Sequence, residues 1–443
     1  MRTNVSSSNS FHNTVTHEGA PARIDNPERE LRRAVLSCLL WEDQFYESGA
    51  DIATRISTLA ASIEPEKVAA LAVEARNTYN LRHVPLWLLI TLAKTGAGKP
   101  KLVADTIEKV VQRADEPGEL LALYWKGGKK PLPAQFKKGL ARAIKKFDAY
   151  RLSKYDRDVS VKLRDVLFLT HAKPKDEAQA QNWKKLVEGT LESPDTWEVA
   201  LSAGKDKKET FERLLREDSL GYLALLRNLR NMMDAGVDEQ LVRQAILARK
   251  GAHRVFPFRY VAAARIVPQL EPAIDAALNA AIGDMQPLPG KTIVLVDVSG
   301  SMDTQLSHKS DMRRIDAAAA LASIIPGDVR VVSFSDYAKE VPPRRGMAGV
   351  DAVIRSQPHS GTRLGEAVGY ANRMMQHDRL IVVTDEQSHD IVPQPKAKHA
   401  YMINVASYKP SVSYGPWTKI EGFSEGVIRY VQAVENEQIS DHA

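Results

Sequence analysis

The sequence predicts a multidomain chain of the α plus α/β class: a long helical region, then a doubly wound α/β domain. Three observations predict it. From Pro27 to about Asp284, apolar residues recur at helical spacing in runs of roughly 10 to 15 residues, with short connectors and no convincing strand. Thr292 to Val296 is a short, mostly β-branched run, of the kind that is buried on both faces of a parallel sheet. Arg379 to Thr384 is a second such run, and each ends at an aspartate, Asp297 and Asp385. The expected division is a tail over 1–25, a helical module over 26–286 and an α/β domain over 287–443.

The helical elements follow one another closely. Glu28 to Trp41 is amphipathic, and Asp51 to Ala61 is followed by Ser62-Ile-Glu-Pro65, which ends one helix and starts the next over Glu66 to Tyr79. Val84 to Thr95 carries Pro85 in its first turn, where a missing N–H costs nothing. Gly96-Ala-Gly-Lys-Pro100 then breaks the run before Lys101 to Arg113. Those glycines lack the phosphate-loop spacing, and Pro100 stands where Ser or Thr is required, so the segment is a turn. So many short helices do not share one core, and stacked helix pairs in a curved array fit better than a bundle.

Composition narrows the function classes. Cys38 is the only cysteine in 443 residues, which excludes an intrachain disulfide and favours a reducing compartment. It lies in an apolar helical run and is expected in the core. No apolar run reaches the ~18 residues that span a bilayer, and the Ser/Asn-rich stretch from Met1 to Asn13 has no apolar signal core. A cytoplasmic monomer is expected. The net charge of +6 is uneven: the chain from Lys291 onward is close to balance, so the surplus lies in the first 290 residues. That region is the one expected to face a polyanion.

The strongest charge run is Lys126 to Arg157. Pro131 and Pro133 mark a turn, and a helix is expected over Ala134 to Tyr150, bearing Lys137, Lys138, Arg142, Lys145 and Lys146. Lys138, Arg142 and Lys145 or Lys146 fall three to four apart, which makes one basic stripe with almost no acidic partner one turn away. A solvated face is the plain alternative; a phosphate backbone is the polyanion the stripe would suit. In the next segment Leu163, Val166 and Leu167 bury one face and leave Lys162, Arg164, His171 and Lys173 near one end. His171 is either a core or capping residue or, beside two cations, a nucleic-acid contact.

Asp297, Ser299 and Ser301 alternate around Gly300 at the end of the first strand. One carboxylate and two hydroxyls in a tight turn form a hard-oxygen cluster suited to Mg²⁺. Open α/β sheets hold ligands at the carboxyl ends of their strands, where this cluster would sit. Asp-x-Ser-x-Ser, then Thr362 in a loop before the helical run Leu364 to Met375, then Asp385, resembles the metal-ion-dependent adhesion site of von Willebrand factor A domains. The resemblance implies that Ser299, Ser301 and Thr362 hold the ion directly. Asp297 and Asp385 would bind it directly or through water, and one position stays open for an acidic group of a partner. An A domain whose loop keeps this shape without an ion is the alternative.

Four separated runs extend the likeness: Ala75 to Leu89, Lys162 to Pro174, Leu220 to Met233 and Pro257 to Arg265. With the intact metal motif they resemble the Ro autoantigen (TROVE) family, in its bacterial or phage form, over nearly the whole chain. The resemblance implies a HEAT-like helical ring whose ends are bridged by the A domain. It implies a ribonucleoprotein of RNA quality control that binds small non-coding Y RNAs on a basic outer surface. The single-stranded ends of misfolded RNAs would enter the central hole. It also implies an adaptor role for a 3′-exoribonuclease such as polynucleotide phosphorylase. Arg164 stands at a basic RNA contact of the family, whereas Phe168 replaces a second basic residue one turn later. Nothing in the chain resembles a nucleophile elbow, a His-x-Glu deaminase motif or a two-metal carboxylate cluster, so no catalysis is expected. The competing readings are a metal-dependent protein-interaction scaffold without RNA binding, and a Mg²⁺-dependent nuclease.

Overall fold

The structure is a computed structural model that describes residues 27–37, 49–156, 159–255, 257–305, 312–374, 376–385, 388–405, 416–421 and 427–440. Cys38 and the 1–25 tail lie outside the described residues. The chain divides into two compact units, one over Pro27–Asp43 and Glu47–Leu214, the other including Leu215–Ala443.

The first unit is helical. It contains α1 (Pro27–Ser37), α2 (Gly49–Ala61), α3 (Pro65–Asn77), α4 (His83–Thr95), α5 (Leu102–Val110) and α6 (Glu116–Tyr124). Then come α7 (Ala134–Ile144), α8 (Ala149–Tyr155), α9 (Leu163–Thr170), α10 (Glu177–Glu188), α11 (Trp197–Ser202) and most of α12 (Lys207–Arg216). Helix α4 is apolar on every side and buries Val84 through Ala93 except Trp87, as a central helix must. A buried ion pair ties three elements beside it. Arg76 Nη2 donates to Glu116 Oε1 at 2.6 Å, while its Nε and Nη1 donate to the carbonyls of Val110 and Leu81 at 3.1 Å. The other oxygen of Glu116 accepts the N–H groups of Gln112 and Arg113 at 2.7 and 3.0 Å. Each charge thus has enough partners to be held out of water.

One sequence expectation is corrected here. The helix expected over Ala134 to Tyr150 is two helices, α7 and α8, separated by a turn over Lys145 to Asp148. Phe147 is buried in that turn, and the Asp148 carboxylate accepts the N–H of Arg151 at 2.8 Å, which caps the start of α8. Burial of Phe147 together with a local cap outweighs the helical spacing.

The second unit opens with α13 (Tyr222–Asp234), α14 (Glu239–Ala248), α15 (Pro257–Ile266) and α16 (Glu271–Gly283). Its α/β part is β1 (Leu288–Asp297), α17 (Arg314–Ile324), β2 (Gly327–Phe334), β3 (Ala338–Glu340) and α18 (Gly346–Ile354). It continues through α19 (Leu364–Arg373), β4 (Arg379–Thr384), β5 (His399–Asn404), β6 (Thr418–Glu421) and α20 (Val427–Ser440). The strand order is β3-β2-β1-β4-β5-β6, parallel except for β3 against β2. All six residues of β4 are buried, which is why both central strands read as continuous apolar runs. Helices α15 and α16 pack on this sheet's helices: Arg265 reaches Asp351 at 2.7 Å, and Asp275 accepts the N–H of Met347 at 2.7 Å. Parallel neighbours lie on both sides of β1, so the crevice for a ligand opens at the carboxyl ends of β1 and β4.

Candidate functional site

The cations singled out in the sequence divide into two groups. Lys137, Lys138 and Lys145 have no ion pair among the described residues; Lys138 is exposed, the other two half-buried. Arg142 and Lys146 instead fasten α7 to α5. Arg142 Nη1 donates to Asp105 at 2.6 Å and reaches Glu108 at 3.4 Å, and the Lys146 ammonium donates to the carbonyls of Glu108 and Val111. The carboxylates missing from α7 itself are thus supplied across the helix pair. Gly139 allows the approach, since a Cβ there would meet that of Ile107 at 2.7 Å. In α9, Arg164 is exposed and Lys162 lies at the N-terminus, where its N–H donates to Asp165 at 2.8 Å. His171 ends the helix in the left-handed conformation, φ 51°, with its side chain exposed, as is Lys173. The capping reading of His171 holds, and its ring is nonetheless available to a partner.

The oxygen cluster forms at the expected crevice. Asp297 is fully buried at the end of β1, and its Oδ1 accepts the N–H of Ser299 at 2.9 Å. Ser299 Oγ and Ser301 Oγ are 3.2 Å apart. The Ser360 carbonyl accepts the N–H of Gly300 at 3.1 Å, which brings the Thr362 loop onto the turn. That loop is fixed from beneath by buried Ser335, whose Oγ accepts the N–H of Ser360 at 2.9 Å and donates to the Gly361 carbonyl at 3.0 Å. His389 locks the other edge: its Nδ1 accepts the N–H of Thr362 at 3.2 Å, and its own N–H donates to the Thr362 carbonyl at 2.9 Å. Asp385, also fully buried, follows the last residue of β4. Burial, and then the negative charge of Asp385, push the Asp297 carboxyl up to about 7, against the opposing hydrogen bonds from Ser299 and Thr384.

Comparison with known proteins gives these arrangements a context. Residues 292–388 match the von Willebrand factor type A domain, and residues 188–278 match the TROVE domain. The crystal structure of the Ro (Rsr) protein of Deinococcus radiodurans superposes with a TM-score of 0.66 and 18% identity, covering 92% of this chain and 100% of that one. The chain therefore carries a segment like the TROVE domain followed by one like the von Willebrand factor A domain, and it shares the fold of that Ro protein. Telomerase protein component 1 of Mus musculus is 30% identical over 110 residues, and that of Rattus norvegicus is 29% identical over the same length. Those stretches are 24% of this chain and 4% of the telomerase components, so the chain spans only a small part of those relatives.

All five residues of the oxygen cluster fall within the matched A domain, whereas the cations from Lys137 to Lys173 lie before the matched TROVE segment. Among the described residues no group of three or more His, Cys, Asp or Glu is placed to hold a metal. The A-domain cluster relies on hydroxyls for three of its five positions. Two neighbours of the cluster escaped the sequence. Thr384 Oγ1 donates to Asp297 Oδ2 at 2.5 Å, and Arg314, at the start of α17, places Nη1 3.8 Å from Asp385 Oδ2. The strand register gave a signal for Thr384: Val296 pairs with Val383, so the next residues, Asp297 and Thr384, are neighbours. Arg314 had no signal, because it comes from a helix packed beside the crevice.

Proposed function

We propose that this chain is a non-catalytic RNA-binding protein. It takes small non-coding, Y-like RNAs and the single-stranded ends of misfolded RNAs on its helical region. The observation that carries the reading is the TROVE match at residues 188–278 in a chain whose helical unit presents Lys137, Lys138 and Lys145, then Arg164, His171 and Lys173, without ion-pair partners among the described residues. Cations left unneutralised by their own protein are what counterion release from a phosphate backbone requires. RNA quality control, alone or as adaptor for a 3′-exoribonuclease such as polynucleotide phosphorylase, is the role this binding would serve in the cytoplasm. Among the described residues no helix is long and apolar enough to cross a membrane.

The A domain is read as a divalent-cation site with a preference for Mg²⁺. Ser299, Ser301 and Thr362 would be direct ligands, with Asp297 and Asp385 direct or through water. The donor set fits: all oxygens, two of them buried carboxylates, one pushed up to about 7 by its burial and then by the other's charge. A bound cation offsets that repulsion and offers an open position to an acidic group of a protein partner.

Titration of a structured RNA bearing a single-stranded 3′ tail, against its blunt form, tests the RNA reading. Tight, tail-dependent binding that weakens steeply with salt is expected. Indifference to both RNAs at moderate salt would leave the metal-dependent interaction scaffold as the better account, and Mg²⁺-dependent shortening of the RNA would make the chain a nuclease.

A further inference from the structure

Phe168 leaves 60% of its surface in water, more than any other aromatic side chain among the described residues. It sits on α9, whose opposite face is closed by buried Leu163, Val166, Leu167 and Thr170, so the helix is anchored without it. Arg164 precedes it by four residues and His171 follows by three. At 100° per residue Arg164 and Phe168 share one face of the helix, with about 6 Å of rise between them, and His171 closes the helix one turn beyond the ring. Arg164, His171 and Lys173 are all exposed. Of the acidic groups on this part of the chain, Asp165 is engaged with the N–H of Lys162, and Asp156 lies near Lys162 and Arg164.

We propose that Phe168 is a stacking platform for an unpaired base of single-stranded RNA, with Arg164 and Lys173 holding the phosphates on either side of it. This rests on the RNA-binding reading and deepens it. A protein-docking patch would place further apolar area around the ring; here its neighbour one turn earlier on the helix face is a guanidinium, that of Arg164. An aromatic face flanked by cations is the arrangement by which single strands are held without sequence preference. A base inside a duplex is stacked on both sides and offers no face to Phe168. The platform therefore selects unpaired RNA, which a purely cationic stripe cannot do.

The test uses the full chain, a labelled 12-nucleotide oligouridine and an abasic strand of equal length, by fluorescence anisotropy. Phe168→Ala weakens oligouridine binding by roughly 5- to 150-fold, the loss of one base-aromatic stack. It leaves abasic binding and the salt dependence of affinity unchanged, and Phe168→Trp restores the affinity. Equal loss on both strands would show that Phe168 acts through the fold, and an unchanged affinity would show that no base meets it; either overturns the proposal. Failure of the wild-type chain to bind any strand would remove the RNA reading itself. Sedimentation as a dimer that Phe168→Ala dissolves would assign the ring to a second copy of the chain.

Discussion

Two buried carboxylates at the ends of adjacent strands define the chemistry of the A domain at the scale of single residues. The Asp297 carboxyl is raised to about 7 in the fold and stands near 3.8 when free of it. The metal-free protein therefore binds this proton more tightly than the unfolded chain does. Its stability from this group is full below about pH 4 and falls as pH rises toward about 7. A divalent cation at the proposed site would reverse the trend, because it favours the ionised form. Melting curves from pH 5 to 8 should show little Mg²⁺ effect at the acid end and a growing one above neutrality, with affinity gaining about tenfold per pH unit below 7. A Mg²⁺ effect of equal size at pH 5 and pH 8 would exclude Asp297 from the site. Its carboxylate was legible in the sequence because strand ends in parallel sheets are where ligands gather. Its proton affinity was not, because that depends first on how completely the fold buries the carboxyl and then on how near Asp385 comes to it.

Among the elements, the α5–α7 pair and the junction of α3 with α6 carry most of the lesson. The basic stripe read from α7 is shorter than its spacing suggested. The helix stops at Ile144, and Arg142 and Lys146 turn onto α5. Spacing along one helix shows which side chains share a face; it does not show which carboxylates a neighbouring helix brings to that face. Reversing the charge of Lys137, Lys138 and Lys145 should weaken RNA binding and flatten its salt dependence without loss of melting temperature, as anisotropy and thermal melts would show. Glu116→Ala should cost about 3–5 kcal/mol in chemical denaturation, since it strands the buried Arg76 guanidinium. A loss below about 1 kcal/mol would mean that water reaches Arg76.

At the scale of the whole molecule, the proposed RNA cations and the oxygen cluster belong to different compact units. The former lie between Lys137 and Lys173, the latter in the unit that includes Leu215–Ala443. The two activities should therefore be separable. Asp297→Asn is expected to abolish Mg²⁺ stabilisation while RNA affinity stays within about twofold, and a collapse of RNA binding in a folded Asp297→Asn protein would join the two sites. The compact division at Leu215 also places α13 to α16 with the sheet, where Arg265 and Asp275 attach them to α17 and α18. Composition changes at Lys291, whereas Arg265 and Asp275 link helices from before that point to helices after it within one compact unit.

By itself the sequence determined the succession of helices, the two central strands and the aspartates at their ends. Those depend on periodicity and on what a parallel strand must bury, both local properties. Only the tertiary structure decided which cations remain without partners, that Thr384 and Arg314 join the carboxylates, and that Phe168 stays in water beside Arg164. Each of these is set by what another segment brings within a few ångströms, and Coulomb energy and desolvation depend on that distance rather than on separation along the chain.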